Sequence, residues 1–452
     1  MNDRIYLDNA AATPVDPRVL KAMEPFWAKN FANPGAIHKE GVAARKAVED
    51  ARGKIAALLG IHADEIVFTG SATESANLAL FGAVEAWRKT HQNEIPHIIV
   101  SAIEHDAVLE PARKLEGAGV LVTRLQVDAR GMVSLVALKK SLTKNTVVVS
   151  VMYANNEIGT IQPIREIAKV IRKWKKEIRG VTRDMKPEKA VNFSEVAPFK
   201  AKERPQAAND ARYPLFHTDA TQAANYLDMH VPRLGVDMLT MNAAKIYGPK
   251  GVGLLALLRG TPLEPLVVGG GHEGGRRAGT ENVPGIVGFA EALRITREIA
   301  EKENARLVAL RDYAIGELKK IRGIQCPTLR IDPQGRTLYS DLVVNGDEIE
   351  RLPNNVNFSI QGLDPSSIRP RRNYGSGHEF LALQLDAKGF AVATKSACNE
   401  TDAETSHVLL ALRRANQSGG PQSGIRLSFG RSTTKKDIDA FLDALREIQK
   451  AR

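Results

Sequence analysis

The stretch Met241–Leu255, MNAAKIYGPKGVGLL, decides how the rest of the chain is read. Two lysines, Lys245 and Lys250, flank a Tyr-Gly-Pro turn. VDMLTM before them reads as a buried strand, and VGLLALL after them reads as another. A lysine partly desolvated at a strand end has a lowered pKa and can form a Schiff base with an aldehyde. Lys250, in GPKG, reads as a turn residue, with Gly248 and Gly251 supplying backbone freedom. Lys245 is therefore the candidate reagent, and Lys250 is not.

The same alternation runs through the first half of the chain. Pro17–Ala28 and Gly41–Leu59 read as helices, the second closed by Gly60. EIVFTG, IPHIIV, TVVVS and PLFHTD read as short buried strands, each followed by a loop. Repeated strand–loop–helix units imply an α/β fold, with a mainly parallel sheet covered by helices on both faces. Each strand leads into polar residues: Thr73, His105, Asn155 with Asn156, Asp219 with Gln222, and Lys245. Ligands of open α/β sheets bind outside the carboxyl ends of the strands, so these side chains are expected to converge. After about residue 262 the pattern changes. A long helix from Val283 to about Ile321 leads to strands in NNVNFSI, AVATKSAC and GIRLSFG, then to a closing helix. That order fits a smaller α+β domain. Residues 178–214 and 361–378 break the rhythm and read as insertions.

Composition narrows the class. The 452 residues are 43% hydrophobic and 25% charged, which is ordinary for a globular protein and calls for more than one core. No run approaches a membrane span, and the N-terminus lacks a secretory pattern. Only Cys326 and Cys398 occur, so a disulfide framework is not expected and a reducing cytoplasm is the default. The net charge is +11, partly concentrated in residues 172–212. Aromatics are 5% and do not alternate with basic residues, so the charge alone does not point to nucleic acid.

The strand-end residues suit one cofactor. Pyridoxal phosphate is the usual aldehyde for such a lysine, and its pyridinium nitrogen asks for a carboxylate. Asp219 is placed to supply one. Gly70-Ser71-Ala72-Thr73 lies between a strand and a helix, where backbone N–H groups and hydroxyls suit a phosphate. His105 suits ring stacking and proton transfer. Any one of these residues has an ordinary structural explanation, but five such ends on one edge do not. Cys398 lies in the polar segment TKSACNETDAETSHVL, where an exposed thiol suits nucleophilic attack and Lys395 is near enough to favour the thiolate. Cys326, in GIQCPTL, suits a buried position better.

Taken together and in order, YLDNAAATP, ATES, EHDAV, YANNEIGTIQPI, HTDATQ, KIYGPKGVG, GGGHEGGRRAGTENVPG, SAC with SHVL, and IRLSFGRSTT resemble the cysteine desulfurases of the NifS/IscS type. These belong to the class V aminotransferase group of pyridoxal-phosphate enzymes. The resemblance covers nearly the whole chain apart from the two insertions and a loop near 327–345. It implies a large domain at 14–261 with a seven-stranded, mainly parallel sheet. It implies a small domain from 1–13 and 262–452 that carries Cys398. Lys245 would bond covalently to pyridoxal phosphate. Asp219 would hold the ring nitrogen, Gln222 the ring oxygen, and Asn155 would lie near that oxygen and the substrate carboxylate. His105 would stack on the ring and act as acid and base. Ala72 and Thr73 would bind the phosphate, and Asn242 would stand beside it. Thr280 would reach the phosphate of a second subunit, which implies a homodimer. Arg426 would grip the carboxylate of L-cysteine through a bidentate pair.

The implied reaction converts L-cysteine to L-alanine. Lys245 takes the Cα proton, and the Cys398 thiolate attacks the substrate sulfur. The persulfide then passes to an acceptor protein, an iron–sulfur scaffold or a tRNA-thiolation protein. The spacing from Cys398 to Ser406-His407-Val408 resembles the longer-loop subgroup, whose thiol travels. The sequence assigns no metal site; whether Cys398 ever ligates an iron–sulfur cluster stays open. Two departures stand out. The family's Ser-x-His-Lys is Asn242-Ala243-Ala244-Lys245 here, so weaker cofactor retention is expected. The chain also stops soon after its closing helix, and the insertion at 178–214 is a candidate substitute for the family's C-terminal docking extension. Two alternatives remain: a selenocysteine lyase or aminotransferase of the same fold, or a basic binding protein without catalysis.

Overall fold

The computed structural model describes residues 4–179, 212–321, 342–360, 377–395, 406–415 and 423–450. Cys326, Cys398 and nearly all of the expected insertions 178–214 and 361–378 lie outside the described residues.

The main sheet is built from β2 (Ile66–Thr69), β3 (His97–Ser101), β4 (Leu121–Leu125), β5 (Thr146–Ser150), β6 (Leu215–Asp219), β7 (Met238–Asn242) and β8 (Gly253–Leu257). β1 (Ile5–Tyr6) belongs elsewhere. The seven strands lie in the order β2-β8-β7-β6-β5-β3-β4. β8 runs antiparallel to both of its neighbours, and every other pair is parallel. The central strands are short runs rich in β-branched residues, such as TVVVS, and are buried along their whole length. That is the composition expected where helices cover both faces. β4, at the sheet edge, is not among the strands read from sequence. Its LVTRL is partly exposed, so it lacks the continuous apolar run that marks the others.

The parallel order places the carboxyl ends of β2, β7, β6, β5 and β3 on one edge. Antiparallel β8 begins on that edge at Gly253, in register with Thr69 on one side and Asn242 on the other. A Cβ on Gly253 would stand 2.5 Å from the Ser71 carbonyl carbon and 2.9 Å from Ala72 N. Only glycine lets β8 and the loop after β2 approach so closely.

The helices largely follow the sequence pattern. Lys39–Leu59 ends on Gly60 in the left-handed conformation, φ 70°. The single helix expected over Pro17–Ala28 is instead two, Pro17–Met23 and Pro25–Ala28. Pro25 has no N–H with which to continue the first ladder, and it opens the second helix.

The second layer of organisation is a smaller sheet of β9 (Leu342–Val344), β10 (Asn355–Ile360) and β12 (Ile425–Ser428), in the order β12-β10-β9. β11 (Phe390–Ala391) pairs in parallel with β1, which ties the N-terminus to this part of the molecule. Its core joins Leu7, Phe358, Phe390, Leu427 and Phe441. The helix Val283–Lys320 is unbroken over 38 residues and serves both cores. Ile286, Phe289 and Leu293 pack in the large core, whereas Leu307, Ile315 and Leu318 pack in the small one. The seam between the two cores therefore falls inside this helix, rather than at residue 262 as the change of pattern suggests. Val408 and Leu409 of the helix His407–Ala415 also belong to the large core.

One polar ladder runs through the buried sheet. His217 on β6 is fully buried, with Nδ1 2.8 Å from Ser150 Oγ on β5 and Nε2 3.0 Å from Thr240 Oγ1 on β7. Burial pushes its pKa down to about 3. The folded protein therefore keeps His217 neutral where the unfolded chain, near pH 6.5, begins to bind a proton. Stability from this group is complete above pH 6.5 and falls as the pH drops from there toward 3. Between pH 7 and 5.5 the wild type is expected to lose about 1 kcal/mol of unfolding free energy that His217→Asn does not lose. Denaturant titrations of both proteins at the two pH values check this.

Candidate active site

A short N-terminal strap, residues 7–16, crosses the carboxyl edge of the main sheet and holds several of the expected site residues. It is anchored in the small domain, where Leu7 O accepts from Ser428 N at 2.7 Å and Ala10 N donates to Ser428 Oγ at 2.8 Å. It then reaches the lysine turn. Thr13 donates through both N and Oγ1 to Ala244 O, at 3.2 and 3.1 Å. The Lys245 ammonium donates to Ala10 O at 3.0 Å and also to Ala11 O. The Gln222 side-chain amide donates to the same Ala10 O at 3.0 Å. Two residues picked out after different strands thus meet on one carbonyl. Lys245 closes a short 3-10 turn at residues 243–245, capped by Asn242 Oδ1 accepting from Ala244 N.

Asp219 ends β6, beside the lysine strand, and is 6% exposed. Its Oδ1 accepts from Thr221 N at 2.9 Å; Oδ2 takes no hydrogen bond among the described residues. The strand–helix turn after β2 is built as expected. Ser71 caps the helix Ala72–Arg88, its hydroxyl accepting from Glu74 N. Gly70 N donates to Glu74 Oε2 at 2.7 Å. The N–H groups of Ala72 and Thr73 stay unbonded among the described residues, at the positive end of a 17-residue helix. His105 caps the helix Asp106–Gly117, with Nδ1 accepting from Ala107 N at 3.0 Å.

Asn155 stands apart from the expectation placed on it. It is fully buried, its Nδ2 donates to Ile103 O, and its Oδ1 accepts from the backbone of Glu157 and Ile158. These bonds shape the loop after β5. Arg426 lies on β12 at 1% exposure. Its Nη2 pairs with Asp8 of the strap at 2.6 Å, and its Nη1 donates to Asn156 O at 3.1 Å. Its Nε is buried and unsatisfied among the described residues, so the guanidinium still has donors to offer. Lys395, expected to favour a thiolate, is itself paired with Glu379 at 3.1 Å and almost buried. Its charge is committed in the folded chain before the segment of Cys398 begins. At the other end of that segment, Ser406 Oγ donates to Glu157 Oε2 and His407 Nε2 lies 2.9 Å from Glu104 O. Thr280 is exposed on a loop fastened by two ion pairs, Glu273 with Arg52 and Arg277 with Glu74. Lys250 is exposed in its turn.

Two site residues escaped the sequence reading. Asp8 is one; its signal is the lone charge in LDNAAAT. Glu104, before His105, is the other. It is completely buried, with Oε1 accepting from Ser101 Oγ and Met152 N, and Oε2 without a partner among the described residues. Burial pushes its pKa up to about 8; the Ser101 and Met152 hydrogen bonds oppose this and the Asp219 charge adds to it. Glu104 is therefore neutral at pH 7, which spares the site a second carboxylate beside Asp219. A charged residue shortly after an apolar strand was the available signal.

Whether these residues fit pyridoxal phosphate can be judged from what they leave unsatisfied. Free helix N-terminal N–H groups suit a phosphate, a buried carboxylate with an unbonded oxygen suits a pyridinium nitrogen, and an amine sits at the adjacent strand end. The donor set fits the cofactor. Among the described residues, no helix is long and apolar enough to cross a membrane.

Comparison with known proteins agrees with the geometry. The aminotransferase class-V family model matches residues 5–180 and 205–441. The chain is 39% identical over 448 residues to the cysteine desulfurase IscS of Dictyoglomus turgidum, covering 99% of this chain and 95% of that protein. A solved NifS-like protein superposes with a TM-score of 0.76 at 30% identity, over 99% of this chain and 100% of the other. The solved structure of SspA in complex with cysteine superposes at 0.67 with 28% identity, over 94% and 98% of the two chains. With its site residues gathered on one sheet edge and its length matched almost throughout, the chain belongs to the aminotransferase class-V family.

Proposed function

We propose that the chain is a pyridoxal-phosphate-dependent cysteine desulfurase, taking L-cysteine to L-alanine and delivering the sulfur to Cys398. The observation that carries this reading is the meeting of Lys245 and Gln222 on Ala10 O, on a strap whose Asp8 also holds Arg426. The lysine, the cofactor-facing amide and the carboxylate-binding guanidinium are thereby tied to one element.

When bound, pyridoxal phosphate supplies an electron sink for the pair left at Cα. The protein's own residues do the rest. Ala72 and Thr73 offer backbone N–H groups to the phosphate, with Asn242 beside them. Asp219 holds the proton on the ring nitrogen, Gln222 serves the ring oxygen, and His105 covers the ring and moves protons. Asn155 keeps the neighbouring loop in shape near the substrate carboxylate. Arg426 orients that carboxylate through its remaining donors. Lys245, released from the strap carbonyls, carries the Cα proton. The Cys398 thiolate attacks the substrate sulfur; an S–S bond forms and the C–S bond breaks. Its electron pair is then protonated, which leaves alanine and a Cys398 persulfide. Thr280 of a second copy completes the phosphate site, so the working form is a homodimer. The acceptor is a protein of iron–sulfur cluster assembly or tRNA thiolation, and the reaction is placed in the cytoplasm.

Three outcomes are expected. Purified protein with pyridoxal phosphate, L-cysteine and a reductant releases alanine, and Cys398→Ala releases almost none. Alanine from both would favour a lyase of the same fold; alanine from neither would remove the desulfurase reading. Arg426→Lys loses the planar fork, and KM for L-cysteine rises roughly 10- to 100-fold, as expected for a charge-assisted pair worth about 1.5–3 kcal/mol. Bound-cofactor absorption stays unchanged in that variant. Ala244→His restores a donor that the family keeps, and the cofactor dissociation constant tightens by about tenfold, the worth of one good hydrogen bond to an anion. Equilibrium dialysis of apoprotein with pyridoxal phosphate measures this; an unchanged constant counts against a phosphate role for position 244.

A further inference from the structure

Tyr247 stands two residues beyond Lys245 with φ at 63°, in the left-handed region that bulky side chains avoid. Such conformations persist only where the surroundings over-determine them, and they gather at functional sites. Here four contacts do so. Tyr247 N donates to Thr13 Oγ1 at 2.8 Å, and Tyr247 O accepts from Asp16 N at 3.0 Å. The phenolic oxygen accepts from Arg431 N at 2.8 Å, and the Arg431 guanidinium lies 3.8 Å from the ring centroid. Arg431, three residues after β12, is fixed in turn by Asp16 at 3.0 Å and by Thr296 at 3.1 Å on the long helix.

We propose that Tyr247, clasped by Arg431, is the positioning residue for the Lys245 amine. Both flanks of Lys245 are tied to the strap, Ala244 through Thr13 and Tyr247 through Thr13 and Asp16. The amine itself rests on Ala10 and Ala11 of the same strap. Turning Tyr247 to the right-handed region would swing the lysine turn while the strap stays bound to Ser428. The angle at Tyr247 therefore sets where the amine stands over the sheet edge. Because Arg431 comes from the small domain, the clasp also transmits that domain's position to the lysine. The Asn225 side chain, donating to Lys245 O at 2.5 Å, braces the turn from the opposite side. Thr13 and Asp16 hold Tyr247 through its backbone, and Arg431 holds its side chain; Tyr247→Leu therefore removes the stack while leaving the backbone bonds to the strap, whereas Arg431→Met also removes the ion pair to Asp16.

The inference rests on the desulfurase reading for its kinetic readout, and a spectroscopic one separates the two. Visible circular dichroism of bound pyridoxal phosphate reports how the lysine presents the cofactor; a purely structural clasp would not move it. Wild type, Lys245→Ala, Tyr247→Phe, Tyr247→Leu and Arg431→Met are compared as holoenzymes. Tyr247→Leu and Arg431→Met are expected to lower kcat for alanine release about tenfold, with KM for L-cysteine within about twofold, since misplacing a reacting group by a fraction of an ångström has that scale of effect. Their visible dichroism loses about half its amplitude or more, while Tyr247→Phe, which keeps the stacked ring, restores most of both signals. Lower melting temperatures with unchanged kcat and dichroism would overturn the proposal and leave the clasp as domain glue. If the two larger changes prevent folding, Arg431→Lys, which keeps the charge but not the planar stack, carries the test with the same expected direction. A wild type without a visible cofactor band would defeat the desulfurase reading instead.

Discussion

A single backbone carbonyl, that of Ala10, accepts hydrogen bonds from the Lys245 amine and the Gln222 amide, and the site is arranged around it. Carbonyl oxygens have two lone pairs, so one atom can fix two side chains from different strands. What keeps the carbonyl in place is the strap's attachment at both ends. It adds to the small-domain sheet through Leu7 and Ser428, and to the lysine turn through Thr13 and Ala244. Asp8 in the same strap meets Arg426. A lone carboxylate and a lone guanidinium buried at this depth would each be costly, so the pair fixes the strap to β12, and the Arg426 bond to Asn156 O ties both to the loop after β5. The glycine at 253 is the other constraint, because any side chain there would collide with the turn that presents Ala72 and Thr73.

The electrostatics of the sheet edge come from burial more than from charge pairing. Glu104 and His217 are both fully enclosed, and both respond by giving up their charge. Asp219, two residues beyond His217 at the end of β6, keeps one oxygen without a hydrogen bond among the described residues. One carboxylate among neutral neighbours is what a cationic ring nitrogen needs. Cationic groups nearby are already committed: Arg426 to Asp8, Lys395 to Glu379, and Arg277 to Glu74. Of these three, Arg426 retains a buried donor unsatisfied among the described residues. Lys395 illustrates the limit of reading charge from proximity in sequence, since it pairs with Glu379 on a helix contributed from earlier in the chain.

The two cores are joined by one continuous helix, not by a linker. Val283–Lys320 puts its first turns against the large core and its later turns in the small one. A helix of 38 residues spans roughly 57 Å, long enough to reach from one core into the other. The N-terminal strap and the Tyr247–Arg431 stack close the same gap from the active-site side.

Much of this was legible in the sequence, for local reasons. TVVVS and LFHTD announce buried strands by composition; Gly60 announces a helix end by needing a positive φ; and the polar residues after each strand mark one edge because parallel topology puts all those ends together. The ordered motifs went further and indicated the family. The rest depended on contacts between residues far apart in the chain. Nothing local in KIYG says that the tyrosine takes a left-handed conformation, because Thr13, Asp16 and Arg431 impose it from elsewhere. Nothing local in ANNEIG says that Asn155 spends its side chain on the backbone. The neutrality of Glu104 follows from burial, which only packing decides. Sequence by itself determined which residues are candidates for the chemistry and which elements they follow, since periodicity and turn chemistry act over a few residues. The tertiary structure alone decided which of them meet, because a carbonyl at residue 10 and an amine at residue 245 become neighbours only when two domains close around the strap.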